Sequence, residues 1–416
     1  MSVEKNVPEI RFTGFSGKWT EKELNKEVEL FSGLTYSPKD VRKEGVFVIR
    51  SSNVKNGQLV NADNVYVNPE VVNCSNVKKG DIIVVVRNGS RSLIGKHAQV
   101  NSCMAQTVIG AFMTGVRGKQ PEFINALFDT NQFTAQVEKN LGATINQITN
   151  GAFNSMVFMF PEELEQTSIG NTFQKLDSLI NQHQQKHDKL CNIKKAMLEK
   201  MFPKQGEIVP EIRFKGFSGE WEDIGLLESI ERIIDFRGRT PKKLGLDWSP
   251  SGYRALSALN VKQGYIDFSI DPHFGDQELY DKWMSGSELH QGQVLFTTEA
   301  PMGNVAQVPN ADKYILSQRT IAFVVKPKVI TDAFLAVLLR SSKVFRELSA
   351  LSSGGTAKGV SQKALANLNV LIPSDLDEQT AIGNYFQNLD TLINQHQQQI
   401  TKLTNIKQAC LSKMFV

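Results

Sequence analysis

The sequence predicts a mixed α/β (α+β) chain made of two homologous domains in tandem, each followed by a long helix. Three observations carry this expectation. The first is duplication. VPEIRFTGFSGKW at 7–19 returns as VPEIRFKGFSGEW at 209–221 with eleven of thirteen positions identical, and EQTSIGNTFQKLDSLINQHQQ at 165–185 returns as EQTAIGNYFQNLDTLINQHQQ at 378–398 with seventeen of twenty-one identical. The second is that the intervening segments carry short β-branched runs separated by Gly, Asn and Ser, which reads as strands and turns. The third is a switch to helical periodicity after Pro161 and Pro373. Seams that persist around diverged interiors describe a scaffold built twice to carry two different surfaces.

The elements follow in order. Each half opens with its repeated lead-in. The variable segments then run from Thr20 to Pro161 and from Glu222 to Pro373. VFVIR (46–50), DIIVVV (81–86), QVLFTT (293–298) and TIAFVV (320–325) are the clearest strand candidates, and helices are expected at 121–140 and 331–350. The interiors keep a faint kinship. Asn53-Val54-Lys55-x-Gly57 echoes Asn260-Val261-Lys262-x-Gly264, and Gly95-x-x-Ala98-Gln99-Val100 echoes Gly303-x-x-Ala306-Gln307-Val308.

The segments after the two prolines hold one Gly each, Gly170 and Gly383. Ile169, Phe173, Leu176, Ile180, His183, His187 and Leu190 alternate steps of four and three. Ile382, Phe386, Leu389, Ile393, His396, Ile400 and Leu403 do the same in the second copy. This is an a/d heptad seam, continued by Met197, Met201, Cys410 and Met414 and interrupted by Lys194 and Lys407. Neither helix can bury such a seam alone, so the two are expected to pack on each other rather than each on its own domain.

Bulk properties narrow the class. The chain has 416 residues, 41% hydrophobic and 22% charged, as a soluble globular protein of two domains does. A net charge of +4 permits a nucleic-acid partner without demanding one. The start of the sequence has no apolar secretory stretch, and the longest aliphatic run, Ile82–Val86, is too short for a membrane span. Four cysteines, Cys74, Cys103, Cys191 and Cys410, lack CxxC spacing, which suits a reducing cytoplasm without disulfides or zinc.

Catalytic signatures are missing. The nearest approach to the D/N-P-P-Y/F loop of an amino-methyltransferase is Asp271-Pro272-His273-Phe274, with His where the second Pro belongs. Gly115-Val116-Arg117-Gly118-Lys119 does not have P-loop spacing. His183 and His396 fall on the helical seam, where a polar group sets register more often than it binds metal. The chain is therefore expected to catalyse nothing by itself and to hold no cofactor or metal.

With PEIRFxGFxGxW at 8–19 and 210–221, GxT…P segment ends at 142–161 and 354–373, and EQxxIGxxFQxLDxLI at 165–180 and 378–393, the chain resembles the DNA-specificity subunits of Type I restriction-modification systems over essentially its whole length. The resemblance implies target-recognition domains at 1–161 and 206–373, a central helix at 162–205 and a C-terminal helix at 374–416. It implies that the helices form an antiparallel coiled coil setting the gap between two half-sites of an asymmetric double-stranded DNA target. It further implies two methyltransferase partners that modify adenine with SAM, and two motor-nuclease partners that use ATP and Mg²⁺.

Reading bases requires donors and acceptors on loops, with cations for phosphates. In the first domain the candidates are Arg50, Ser51, Ser52 and Asn53, with Arg87, Asn88, Ser90 and Arg91. In the second they are Arg237, Arg239 and Thr240, then Ser257 and Asn260, then Thr297, Thr298, Glu299 and Arg319, and finally Lys358, whose first-domain counterpart is Asn146. Two rival readings are a self-contained DNA methyltransferase or nuclease with degenerate motifs, and a protein scaffold that never touches DNA.

Overall fold

The computed structural model describes residues 6–141, 146–352 and 359–416. The chain divides into two compact units. One comprises 1–183 together with 399–416, and the other comprises 184–398.

In the first unit the hydrophobic runs become sheet interiors. Strands Val28–Ser32, Met113–Gly118, Ile82–Val85 and His97–Gln99 lie side by side in that order, antiparallel throughout. All four residues of Ile82–Val85 are buried, so both faces of this central strand are covered and its sequence is continuously aliphatic rather than alternating. A second sheet pairs Val46–Ile49 in parallel with Thr107–Ile109 and antiparallel with Val65–Val67. Thr20–Glu23 pairs with Val157–Phe160 and brings the two ends of the variable segment together. The expected helix at 121–140 is two helices, Pro121–Phe128 and Asn131–Asn140. The break falls where the Thr130 hydroxyl accepts from the Phe133 N–H, since a capping Thr competes with continuation of the helix.

The second unit repeats this plan. Ile230–Asp235, Thr320–Val325, Val294–Thr297 and Val305–Gln307 form the antiparallel sheet. Tyr253–Leu256 runs parallel to Tyr314–Leu316, and Glu222–Gly225 pairs with Asn369–Ile372. The helix expected at 331–350 is likewise two, Asp332–Leu338 and Ser342–Leu351. Each of the four strand runs read from the sequence is a strand.

Each repeated lead-in is a clamp on the start of a long helix. Arg11 donates from Nε and Nη2 to the two carboxylate oxygens of Glu165 at 2.7 and 2.6 Å, and from Nη1 and Nη2 to the carbonyls of Gly17 and Ser16. Arg213 does the same to Glu378 at 2.6 Å twice, and to Gly219 and Ser218. Glu165 and Glu378 are wholly buried. The turn that aims the carbonyls places Gly14, Gly17, Gly216 and Gly219 at φ of +100°, +89°, +104° and +88°, so the GFSG string is written for backbone geometry.

The first long helix is Glu163–Lys200 and the second is Leu376–Met414, each roughly 57 Å at ~1.5 Å per residue. Between 391 and 410 of the second helix the seam positions Ile393, His396, Ile400, Leu403, Lys407 and Cys410 are half-buried, and of the other residues only Asn394 is not exposed. The two helices meet in both units. In the first, Phe173 lies 5.9 Å from Phe415 between ring centres, and Lys407 reaches Asp177 at 2.5 Å. In the second, Phe386 lies 6.4 Å from Phe202, and Lys194 reaches Asp390 at 2.5 Å. As numbers rise on one helix they fall on the other, so within each unit the contact is antiparallel. Lys194 and Lys407 thus hold seam positions as ion-pair partners of the Asp in LDSL and LDTL. A third group joins each pair. In the first unit it is Asp129, 2.6 Å from Lys407; in the second it is Arg340, which binds Asp390. No described helix is long and apolar enough to cross a membrane.

The single glycine in each helix has a steric cause. A Cβ on Gly170 would lie 2.6 Å from the Phe123 nitrogen, and one on Gly383 would lie 2.5 Å from the Ala333 Cβ. The short helix of each sheet domain rests its first turn directly on the long helix there. Alanine is the better helix former by ~1 kcal/mol, but overpacking against backbone costs about 1–3 kcal/mol. Gly170→Ala and Gly383→Ala should therefore destabilise their units, seen as a lowered urea midpoint.

A second prediction follows from the Lys407 cluster. Burial opposes ionisation of Asp129, but a hydrogen bond from His97 and the charges of His97 and Lys407 outweigh it and hold the carboxyl down at about 2. Burial pushes Asp177 up despite Lys407, while Lys407, against its own burial, is raised by both carboxylates. A lowered carboxyl contributes stability that is present above its unfolded value and fades as pH falls toward 2. Lys407→Met leaves two partly buried carboxylates facing each other and should cost ~2 kcal/mol at pH 7, less than a fully buried pair would. Their pKa values then rise in the folded state, so the deficit against the parent should shrink at pH 4 in paired urea titrations.

Candidate nucleic-acid interface

The candidate loops of each unit converge at one end of its sheets. In the first unit the turn after Val46–Ile49 meets the turn after Ile82–Val85, where Asn88 Nδ2 donates to Ser51 Oγ at 3.1 Å. The turn between Thr107–Ile109 and Met113–Gly118 lies beside them, with the N–H groups of Val86 and Arg87 donating to the Phe112 carbonyl at 3.1 and 3.2 Å. The segment at 146–148 closes the group, since Asn88 N–H donates to the Asn146 carbonyl and Ile148 N–H to the Val86 carbonyl.

The second unit uses the same backbone. Thr298 N–H donates to the Arg319 carbonyl at 2.8 Å, and Val360 N–H to the Thr298 carbonyl at 2.9 Å. Arg87 bridges Gln147 as Glu299 bridges Gly359. Residues 50, 86, 87 and 112 therefore correspond to 257, 298, 299 and 319.

The candidates separate by what their side chains already do. Asn53 is buried. Its Oδ1 accepts from Arg50 N–H at 2.9 Å, and its Nδ2 donates to the Ala62 carbonyl at 2.8 Å and Asn64 Oδ1 at 3.0 Å. Asn260 is buried in the same way, accepting from Ser257 N–H and donating to the Ala255 carbonyl. Thr297 is buried with its hydroxyl accepting from Asn304 N–H, and Thr298 is buried with its hydroxyl donating to the Arg319 carbonyl. These four hold the loops in shape.

Others are partly or fully exposed but tied. Arg50 binds Asp63, and Arg237 binds Asp235. Asp235 is partly buried, which opposes its ionisation, yet the Arg237 hydrogen bonds win and hold its carboxyl below the usual range. Arg239 stacks on Phe236 at 4.3 Å and donates to the Trp283 carbonyl. Thr240 caps the turn at Pro241–Leu244. Ser90 and Ser92 share a hydrogen bond, and Ser52 and Arg91 are exposed on the two turns. Lys358 lies outside the described residues.

Arg87, Glu299 and Arg319 stand on the exposed rim, with Arg87 over the ring of Phe112 at 4.9 Å and Glu299 paired with Arg319 at 3.2 Å. Sequence reasoning missed Phe112, an exposed apolar residue among polar candidates. In the second unit the rim surrounds a cavity of about 440 Å³ lined by Thr240, Trp248, Ser257, His273, Trp283 and Arg319. Ser257 there donates to Asp271, which pairs with His273 at 2.7 Å. The carboxylate sits between hydroxyl and imidazole, so this is no Ser–His relay for nucleophilic attack. Among the described residues no cluster of His, Cys, Asp or Glu could hold a metal ion.

Comparison with known proteins establishes the family. The family model of the Type I restriction modification DNA specificity domain matches residues 16–192 and again 236–405. The chain belongs to this family and carries its domain twice. It is 22% identical over 421 residues to the Type I restriction enzyme EcoKI specificity subunit of Escherichia coli K12, covering 95% of this chain and 88% of that protein. It is 21% identical over 416 residues to the StySPI specificity subunit of Salmonella potsdam, again at 95% and 88% coverage. The fold matches the crystal structure of the Type I restriction-modification S subunit of M. genitalium with a TM-score of 0.64 at 14% identity, over 99% of both chains.

The division between loop-holding and loop-presented residues is testable. Asn53→Ala should cost about 2–3 kcal/mol by leaving several buried polar groups unpaired. Any DNA sequence preference of the folded fraction should be unchanged. Urea unfolding and a binding panel of single-base variants measure the two separately.

Proposed function

We infer that this chain is the sequence-reading subunit of a Type I restriction-modification complex, with one half of a bipartite, asymmetric DNA site read by each unit. The observation that carries this is one backbone framework presented twice with different rim chemistry, Arg87 with Phe112 in one copy and Glu299 with Arg319 in the other. A shared framework suits equivalent docking on two half-sites, as in dimeric DNA readers. Unlike side chains make those half-sites unlike. The rival of a scaffold that never touches DNA has no use for this pattern of paired loops.

On this reading the chain is non-catalytic, holds no cofactor and works in the cytoplasm. Two methyltransferase subunits bring SAM and methylate an adenine in each half-site. Two motor-nuclease subunits bring ATP and Mg²⁺. The repeated helix starts and lead-ins, alike in both copies, suit two identical partners. The four cysteines are free thiols, which fits a reducing compartment.

Genome-wide mapping of methylated adenine with and without the chain tests this directly. A bipartite motif should vanish when the chain is absent. Replacing residues 20–161 with the matching segment of a relative should change one half of that motif and leave the other intact. A change in both halves would overturn the one-unit, one-half-site reading. Methyl transfer by the purified chain alone would overturn its non-catalytic role.

A further inference from the structure

The rim pair puts different chemistry on the same two backbone positions of the two units and leaves it exposed. Phe112 is 53% exposed, which by itself means little, since single surface apolar residues are ordinary. Its significance comes from Arg87. The guanidinium lies 4.9 Å from the ring centre, and the N–H of Arg87 donates to the Phe112 carbonyl, so backbone and side chain are both held against residue 112. A guanidinium held over a ring does not spend its N–H donors on that ring, and they stay available to match O6 and N7 of guanine.

In the second unit the roles are exchanged between the two positions. The arginine is Arg319, at the place of Phe112, and its partner is Glu299, at the place of Arg87, 3.2 Å away. Arg319 holds φ of +64°, a left-handed conformation that a non-glycine residue adopts only under constraint from its surroundings. Each unit therefore presents one arginine held by a neighbour, a ring in one case and a carboxylate in the other. Arg50 and Arg237 also pair with carboxylates, but with Asp63 and Asp235 of their own loops, whereas Glu299 reaches Arg319 from a different loop.

Resting on the DNA-reading function above, we propose that Arg87 and Arg319 each read a guanine, one in each half-site, and that Phe112 and Glu299 are their positioning residues. Pre-ordering is the physical gain. A free arginine loses rotamer freedom on docking, and a neighbour that fixes it beforehand lowers that loss.

The experiment uses the full chain with its partner subunits in cells lacking the parental copy, read by single-base methylation mapping. Arg87→Ala should lower discrimination at one guanine of one half-site by roughly 5- to 150-fold, the range of a bidentate arginine–guanine contact. Phe112→Ala should relax the same position more weakly, roughly 3- to 10-fold, and Phe112→Tyr should restore it because the ring remains. Arg319→Ala should relax one guanine in the other half-site only. An unrelaxed motif in Arg87→Ala or Arg319→Ala overturns the proposal, as does uniform loss of methylation in Phe112→Ala together with Phe112→Tyr. If the parental motif does not depend on the chain at all, the DNA-reading function fails instead, so the two failures are distinct.

Discussion

Two buried arginine–glutamate pairs underlie both units. Arg11 with Glu165 and Arg213 with Glu378 take charges out of water and return bidentate, charge-assisted hydrogen bonds, completed by two loop carbonyls on each guanidinium. Such a pair is costly to break, because the remaining partner becomes an uncompensated buried charge. The glutamate lies in the first turn of its helix, where a negative charge is also favoured by the helix dipole. The lead-in is thereby fixed to the helix start. The antiparallel pairing of Thr20–Glu23 with Val157–Phe160, and of Glu222–Gly225 with Asn369–Ile372, then closes each variable segment on a defined base. With its base fixed, a domain can vary its rim without losing its position on the helix.

The aromatic packing above that clamp follows the same duplication. Trp19, Phe123 and Phe415 meet at centroid distances of 5.5 to 6.3 Å, and Phe202, Trp221 and Phe334 meet at 5.7 to 5.8 Å. The KMF string at the end of each long helix supplies the phenylalanine just past the last helical turn, Phe202 in one copy and Phe415 in the other. The helix end, the lead-in tryptophan and the short sheet-domain helix thus share one cluster in each unit. Gly170 and Gly383 belong to the same arrangement, since only a residue without a side chain lets the short helix come so close.

Much of the architecture was legible because duplication and periodicity are direct physical signals. The strand at 82–85 declared itself as an unbroken aliphatic run, and the seam at 382–414 as steps of four and three. The charged members of the core were not legible. Glu165 and Glu378 sit in a polar string that reads as helix surface, and only the contact with Arg11 or Arg213 explains their burial. Lys194 and Lys407 looked like interruptions because their aspartate partners lie on the other helix, more than a hundred residues away in sequence. On the rim the ambiguity is chemical. Asn53 is the residue type that reads adenine and also the type that holds a turn, and its burial decides which. Phe112 was invisible for the opposite reason, being an apolar residue whose role depends on the arginine above it.

The division of the chain into 184–398 and the discontinuous remainder has a consequence for how the molecule comes into being. Domains ordinarily fold in the order in which they are synthesised. Here the unit that starts first is finished last, because its core takes in Leu411, Met414 and Phe415, and the Ile10 N–H donates to the Lys413 carbonyl. On the ribosome, Trp19 and Phe123 wait for Phe415 while all of 184–398 is made. The nascent chain therefore completes its second reader before its first, and carries an unfinished core through most of its own translation.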